Sequence, residues 1–342
     1  MLTNENQLPS LPAGPGEYAW RAAQREDAEA IHRLLLDIEA VDQRGWVDTI
    51  EDRHRDFDDP ASNFETDSLL ALTQAGEVAA LGWIFAPPVG ETEFIAYLWG
   101  EIHPEHRRRG LGSMVLSWME ARGHQILASR PDDLPHYLRT SSLDHLQDRA
   151  ALFEQHGFQP VRYGFRMRRD LHQPIPEAPM PEDIQLARWD PALDLAVLET
   201  CNEAFRDHWG FIPVPEEVWH LWLTQHPYFR PELTFLALAK DTGPGENPVA
   251  GFSINQVRQE ENVATGINEG WIQELGVRRS WRKRGVATAL LCASLQAFKQ
   301  AGLDYAGLGV DTENLTGALR IYERLGFEPI KRSITFSKGV EG

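Results

Sequence analysis

Apolar positions along the chain form two series of predicted elements that repeat in the same order. Ala28, Ile31, Leu34, Leu35 and Ile38 recur at helical spacing, and so do Leu193, Val197, Cys201, Ala204 and Phe205. Short apolar runs of strand length follow each helix, at 69–73 and 78–85, then at 234–239 and 249–254. A third strand in each series, 94–102 and 271–277, runs into a basic turn. After the second of these turns comes an amphipathic helix carrying Ala287, Leu290, Leu291, Leu295 and Phe298, with Gly302 as its C′ residue. Its counterpart carries Leu111, Val115, Trp118 and Met119 and is expected to stop at Gly123. A further strand, 305–310, leads to a last helix through Ala318, Leu319 and Tyr322. Strands interleaved with helices predict an α/β (α+β) fold.

The two series are copies. Arg107-Arg108-Arg109-Gly110-Leu111-Gly112 matches Arg282-Lys283-Arg284-Gly285-Val286-Ala287, and Gly285 lies 175 positions after Gly110. Phe153-Glu154-Gln155-His156-Gly157-Phe158 matches Tyr322-Glu323-Arg324-Leu325-Gly326-Phe327 at an offset of 169, the offset that also separates Gly82 from Gly251. Between the copies, residues 172–181 hold four prolines without periodicity, as a linker does. The domains are therefore placed at 17–171 and 182–340. Gly110 to Phe153 spans six positions more than Gly285 to Tyr322, and the excess is expected around 130–143.

Composition narrows the class. The 342 residues are 42% hydrophobic and 25% charged, an ordinary globular balance, and no run of eighteen apolar residues occurs. Residues 1–16 read as a frayed polar tail, without the basic start and apolar run of a signal peptide. Two distant cysteines, Cys201 and Cys292, give neither a disulfide framework nor a zinc spacing, and fit a reducing cytoplasm. His103 and His106 have no third ligand nearby, so no metal is expected. A net charge of −18 opposes nucleic acid and anionic membranes as partners. Against it, the two basic runs stand out.

A strand, a basic glycine-containing turn and a helix N-terminus together expose backbone N–H groups and a positive dipole end, which suits a pyrophosphate. The spacing is neither a Walker A motif nor a three-glycine dinucleotide fingerprint. It resembles the signature of the GNAT acyltransferase superfamily, [R/Q]-x-x-G-x-[G/A] after a strand, once in each half. The resemblance implies two tandem domains, each with a mixed, mostly antiparallel central sheet flanked by helices. It also implies acetyl-CoA as co-substrate: its pyrophosphate on Arg282-Lys283-Arg284-Gly285-Val286-Ala287-Thr288, its pantetheine arm along Leu275-Gly276-Val277. The first half has the same turn in Arg107-Arg108-Arg109-Gly110-Leu111-Gly112-Ser113, so the resemblance implies a coenzyme-binding turn there as well. The family's second motif is matched by Asn314, Ala318, Tyr322, Gly326 and Phe327, which implies that Asn314 binds the coenzyme and Tyr322 is the general acid. In the first half His145, Arg149 and Phe153 stand at those places, and phenylalanine donates no proton. That half is expected to be non-catalytic.

Among tandem members the chain looks most like the mycothiol synthase group, through Asn202–Gly210 and the run Leu308-Gly309-Val310-Asp311. Where that group places a glutamate base early in the strand before the turn, this chain has Trp271. Glu274 is the first candidate for the base, and Asp311 or a water relay the alternatives. Asp207, His208 and Trp209, in an aromatic segment, are candidates for recognising a cationic amine, with Asp311 beside them. The expected reaction is N-acetylation of a primary amine on a small molecule or peptide. Two other readings stay open, a non-catalytic acyl-CoA-binding regulatory module and transfer from an aminoacyl-RNA.

Overall fold

The computed structural model describes residues 8–12, 17–59, 62–87, 89–131, 133–243, 245–313 and 317–340. In chain order the first elements are β1 (Ala19–Arg21), α1 (Ala28–Asp42), α2 (Ile50–Asp58), β2 (Ser68–Leu72), β3 (Val78–Phe85), β4 (Phe94–Ile102) and α3 (Leu111–Ala128). Then come β5 (His136–Leu143), α4 (Gln147–Gln155), β6 (Gln159–Asp170), β7 (Ile184–Arg188) and α5 (Asp194–Phe205). The chain continues with α6 (Glu216–Trp219), β8 (Phe235–Ala239), β9 (Val249–Gln256), α7 (Gln259–Thr265) and β10 (Glu269–Val277). It ends with α8 (Val286–Gln300), β11 (Tyr305–Asp311), α9 (Ala318–Arg324) and β12 (Glu328–Val340).

Two compact units result, one of residues 1–162 with 333–342 and one of 163–332. The sheet of the first runs β1-β2-β3-β4-β5-β12, that of the second β6-β11-β10-β9-β8-β7. Both are antiparallel except at one place, β4 with β5 and β10 with β11. The order is the same in each, which is the structural form of the repeat. Each sheet is covered on both faces. In the second unit α5 packs with Trp219, Leu236, Phe252 and Ile254 on one side, and α8 with Ile272, Leu308 and Phe327 on the other.

Three sequence expectations change. Helix α3 does not stop at Gly123 but runs to Ala128. Gly123 is buried within it, and a Cβ there would meet Leu138 Cδ2 at 2.7 Å and Ala96 Cβ at 3.5 Å, so the glycine lets the helix lie close to the sheet. Gly302 does end α8: at φ +80° it donates to Lys299, and Leu303 donates to Phe298, a Schellman pair. The stretch 130–143 is not an insertion, since its greater part is β5, the counterpart of β11. The six extra positions divide between three residues of α3, which has 18 against 15 in α8, and three in the loop 129–135 against 301–304.

The third change concerns the division at 172–181. Each unit's last strand comes from the far side of that boundary. Residues 163–170 of β6 pair with β11, from Gly164↔Asp311 to Asp170↔Tyr305, and residues 333–340 of β12 pair with β5, from Ser333↔Leu143 to Val340↔His136. Side chains enforce the choice. Arg166 bonds Glu261 and Glu269 at 2.8 Å, and Arg168 bonds Glu269 at 2.6 Å. In the first unit Phe336, 1% exposed, meets Phe153 edge-on at 5.4 Å, and Lys338 reaches Glu120 and the carbonyl of His156.

Candidate active site

The basic turn after β10 is built by its own arginine. Arg282 donates through Nε to the carbonyl of Val277 at 3.2 Å, to the carbonyl of Ala204 at 2.7 Å, and to Asp207 at 2.9 Å. Arg279 also holds Asp207. These contacts keep the Asp207 carboxyl below the usual carboxylate range, Arg282 first and Arg279 second. The first unit repeats the device: Arg107 donates to the carbonyl of Ile102 at 3.2 Å and grips Asp42 with both terminal nitrogens, at 2.7 and 2.9 Å. So Asp207 is committed to the turn instead of to a cationic substrate, which corrects the expectation for it. Beyond Arg282 the backbone turns left-handed at Lys283 (φ +61°) and Gly285 (φ +87°), as it does at Arg108 (φ +61°) and Gly110 (φ +84°). Helix α8 closes its first bond from Ala289 to the carbonyl of Gly285, so the N–H groups of 286–288 have no partner within the helix and face whatever anion sits there.

From the turn a cavity of about 1230 Å³ follows the strand. Strands β10 and β11 pair only from Glu269↔Tyr305 to Ile272↔Leu308. A bulge at Gln273 then re-registers β10 on β9, so that Glu274 meets Ile254, and the two parallel strands part. The cavity fills the gap. Gln273, Glu274, Leu275, Gly276 and Val277 line one wall, Leu308 to Asp311 with Ala318, Ile321 and Tyr322 the other, and Lys283 with Gly285–Thr288 one end.

Glu274 and Tyr322 thus line one cavity. Desolvation pushes the Glu274 carboxyl up to about 7, against a hydrogen bond from Gln273 that pulls the other way. Glu274 is half-buried and forms part of the cavity wall. Burial, and secondarily the charge of Glu274, raises the Tyr322 phenol above its ordinary value, and the same two causes raise the Cys201 thiol. Tyr322 is 8% exposed and meets Phe327 edge-on at 5.9 Å, so it belongs to the core and to the cavity wall at once.

The remaining candidates divide. His208 lines the cavity and packs edge-on against Phe205 at 4.7 Å, whereas Trp209, 39% exposed, is not part of the lining. Arg284 turns away to Asp183, at 2.7 and 2.8 Å, with its guanidinium over the Trp281 ring. Asp311 lines the cavity, and its carboxylate accepts the N–H of Glu313 at 2.9 Å. Asn314 lies outside the described residues. In the first unit Arg107, Arg108, Gly110, Gly112 and Ser113 line a smaller cavity of about 590 Å³, without Arg109 or Leu111. Arg320 and Arg324 were not anticipated: one turn apart on α9, they add cations to the lining of the larger cavity, and their i,i+4 spacing with Tyr322 between was the available signal.

Known proteins resemble the chain at both levels. Residues 196–327 match the acetyltransferase (GNAT) family. The mycothiol acetyltransferase of Thermobispora bispora is 32% identical over 268 residues, 75% of this chain and 79% of that protein. That of Acidothermus cellulolyticus is 29% identical over 253 residues, 70% of each. Among solved structures, a GCN5-related N-acetyltransferase from Sphaerobacter thermophilus superposes with a TM-score of 0.72 at 28% identity, covering 96% of this chain and 98% of that one. A tandem GNAT protein from the clavulanic acid biosynthesis pathway superposes with a TM-score of 0.65 at 16% identity, covering 95% and 99%, and shares the fold.

Proposed function

The chain belongs to the GNAT family of acetyltransferases, and on that premise we propose that its second unit moves an acetyl group from acetyl-CoA to the primary amine of a small molecule. The observation that carries this reading is the parting of β10 and β11, which puts Glu274 and Tyr322 on the walls of a cavity that begins at the anion-binding turn. The residues present fit the coenzyme. Backbone N–H groups of 286–288 and Lys283 meet its pyrophosphate, and the arm lies along Leu275-Gly276-Val277. Opposite stand Gly309, where a Cβ would meet nothing within 4 Å, and Ala318.

The chain's own groups then act in order. Glu274 takes a proton from the arriving ammonium, and the free amine attacks the thioester carbon. As the carbon–sulfur bond breaks, Tyr322 gives its proton to the departing sulfur. The resulting phenolate takes up the second proton that the new amide nitrogen sheds, and Glu274 returns its own proton to water. The pKa match survives burial: a phenol of ~10 and a thiol of ~8.5 are both anions when ionised, so the same dry cavity raises both. The curated relatives carry the name mycothiol acetyltransferase, so an amine precursor of mycothiol is the first acceptor to assay. The test is release of free coenzyme A from acetyl-CoA in the presence of that precursor and of a panel of small amines. Turnover that depends on Tyr322 supports the proposal, and its absence with every amine defeats it.

A further inference from the structure

The two cavities differ at the strand edge along which an acyl-pantetheine arm is proposed to lie. In the first unit β4 and β5 pair up to Tyr97↔Arg139 and then leave the edge of β4 open, as β10 and β11 do after Ile272↔Leu308. The edge does not stay open. Thr140 Oγ1, on β5, donates to the carbonyl of Leu98 at 2.9 Å, and Arg149, on α4, donates to the carbonyl of Gly100 at 2.7 Å. Residues 98 and 100 are two apart, so their carbonyls point the same way along the strand. Both acceptors that an arm would need are taken by side chains.

The plug is anchored. Arg149 also bonds Glu101 at 3.3 Å, and Glu101, 6% exposed, accepts a second bond from Arg44 at 3.0 Å. The lining shows the consequence: β4 contributes only Gly100, Glu101 and Ile102 to its cavity, whereas β10 contributes Ile272 through Val277 to the other. The register of the repeat names the counterparts of the sealing residues. Thr140 corresponds to Gly309 and Arg149 to Ala318, so both sealing side chains are replaced by the smallest ones in the unit whose edge is clear. Strand β10 also carries the bulge that re-registers it on β9, while β4 pairs with β3 without a shift.

We infer that Thr140 and Arg149 seal the first unit against an acyl-pantetheine arm, so that the chain takes one coenzyme A, in the second unit. The inference rests on the proposed donor. Its test is a calorimetric titration of the full chain with coenzyme A, counting equivalents. The wild type binds one, and Ala318→Arg, which copies the plug into the second unit, binds none. Gly309→Thr, at a position with room for a Cβ, weakens binding in the same direction. Thr140→Gly with Arg149→Ala binds two. Arg149→Ala alone, which leaves Glu101 paired with Arg44, binds the second equivalent if the double variant does not fold. Two equivalents in the wild type overturn the inference while leaving the donor intact. So does a single equivalent that survives Ala318→Arg, or an opened variant that stays at one. No binding by any form overturns the donor reading itself.

Discussion

Glu274 and Tyr322 are moved in the same direction by burial, with opposite consequences for proton traffic. A carboxyl raised to about 7 is largely protonated at pH 6 and cannot accept a proton, while at pH 8 it is ionised. A phenol raised above its ordinary value stays protonated throughout that range and keeps its proton to give. The turnover number is therefore expected to rise with an acid limb near pH 7. Glu274→Gln removes that limb and lowers the rate at neutral pH, by a factor on the order of 10²–10⁴. Raising the pH restores part of it, because more of the amine is then free. Tyr322→Phe costs a similar factor at every pH. Linkage supplies a readout independent of activity. An acid whose folded pKa lies above its unfolded one contributes full stability below the unfolded value and loses it as pH rises through the folded one. Glu274→Gln should thus raise the melting temperature at pH 8 and change it little at pH 4. A mutant no more stable at pH 8 would mean that the carboxyl is not desolvated. The composition gave no hint of this: Glu274 is one acidic residue among 51, and only the Gln273 bulge sets it at the cavity wall.

At the scale of elements, the turn before α8 stores strain that the turn before α3 stores as well. Lys283 and Arg108 hold φ +61° with a Cβ, at a cost of roughly 1–3 kcal/mol each. Arg108 meets Asp148 with both side chains mostly exposed, a pair that contributes little. Arg108→Gly is expected to stabilise the chain by up to about 1 kcal/mol in denaturant unfolding. Gly285→Val has the opposite sign. No atom lies within 4 Å of the added Cβ, so the harm comes from φ +87°, which a β-branched residue resists, and from methyls in the anion's place. It should abolish the thermal shift produced by acetyl-CoA, and a retained shift would place the pyrophosphate elsewhere. Strand, turn and helix were legible here because their signals are local: a 3.6-residue apolar period, a glycine at its end, a repeat that fixes the register. Gly123 misled for a local reason too. Its missing Cβ serves contact with Leu138 instead of a helix end, and the two uses look alike in sequence.

For the whole molecule the pairing of the last strands decides what can stand alone. Residues 163–170 and 333–340 occupy the same place in their respective sheets, so sequence proximity favours leaving each with its own half, and the fold does otherwise. Nothing local marks the exchange. It is written in distant partners: Arg166 and Arg168 for Glu261 and Glu269, Phe336 for Phe153, Lys338 for Glu120. A piece cut at the proline-rich stretch, 182–340, would keep β11 with one edge uncovered. It would also bury Glu269 without Arg166 and Arg168 and leave Glu261 with Arg258 but without Arg166, and removing one side of a buried pair costs ~3–5 kcal/mol. Its residues 333–340 would have no β5 to pair with. Such an open edge beside an unpaired apolar strand favours association. A piece spanning 163–332 keeps all six strands of its unit, the whole cavity and both Glu274 and Tyr322. The expectation is that 163–332 elutes as a monodisperse species and gains melting temperature with acetyl-CoA, while 182–340 aggregates. If 182–340 were the soluble, ligand-responsive piece and 163–332 were not, the strand at the edge of β11 would have to come from 333–340, and the units would be the linear halves after all.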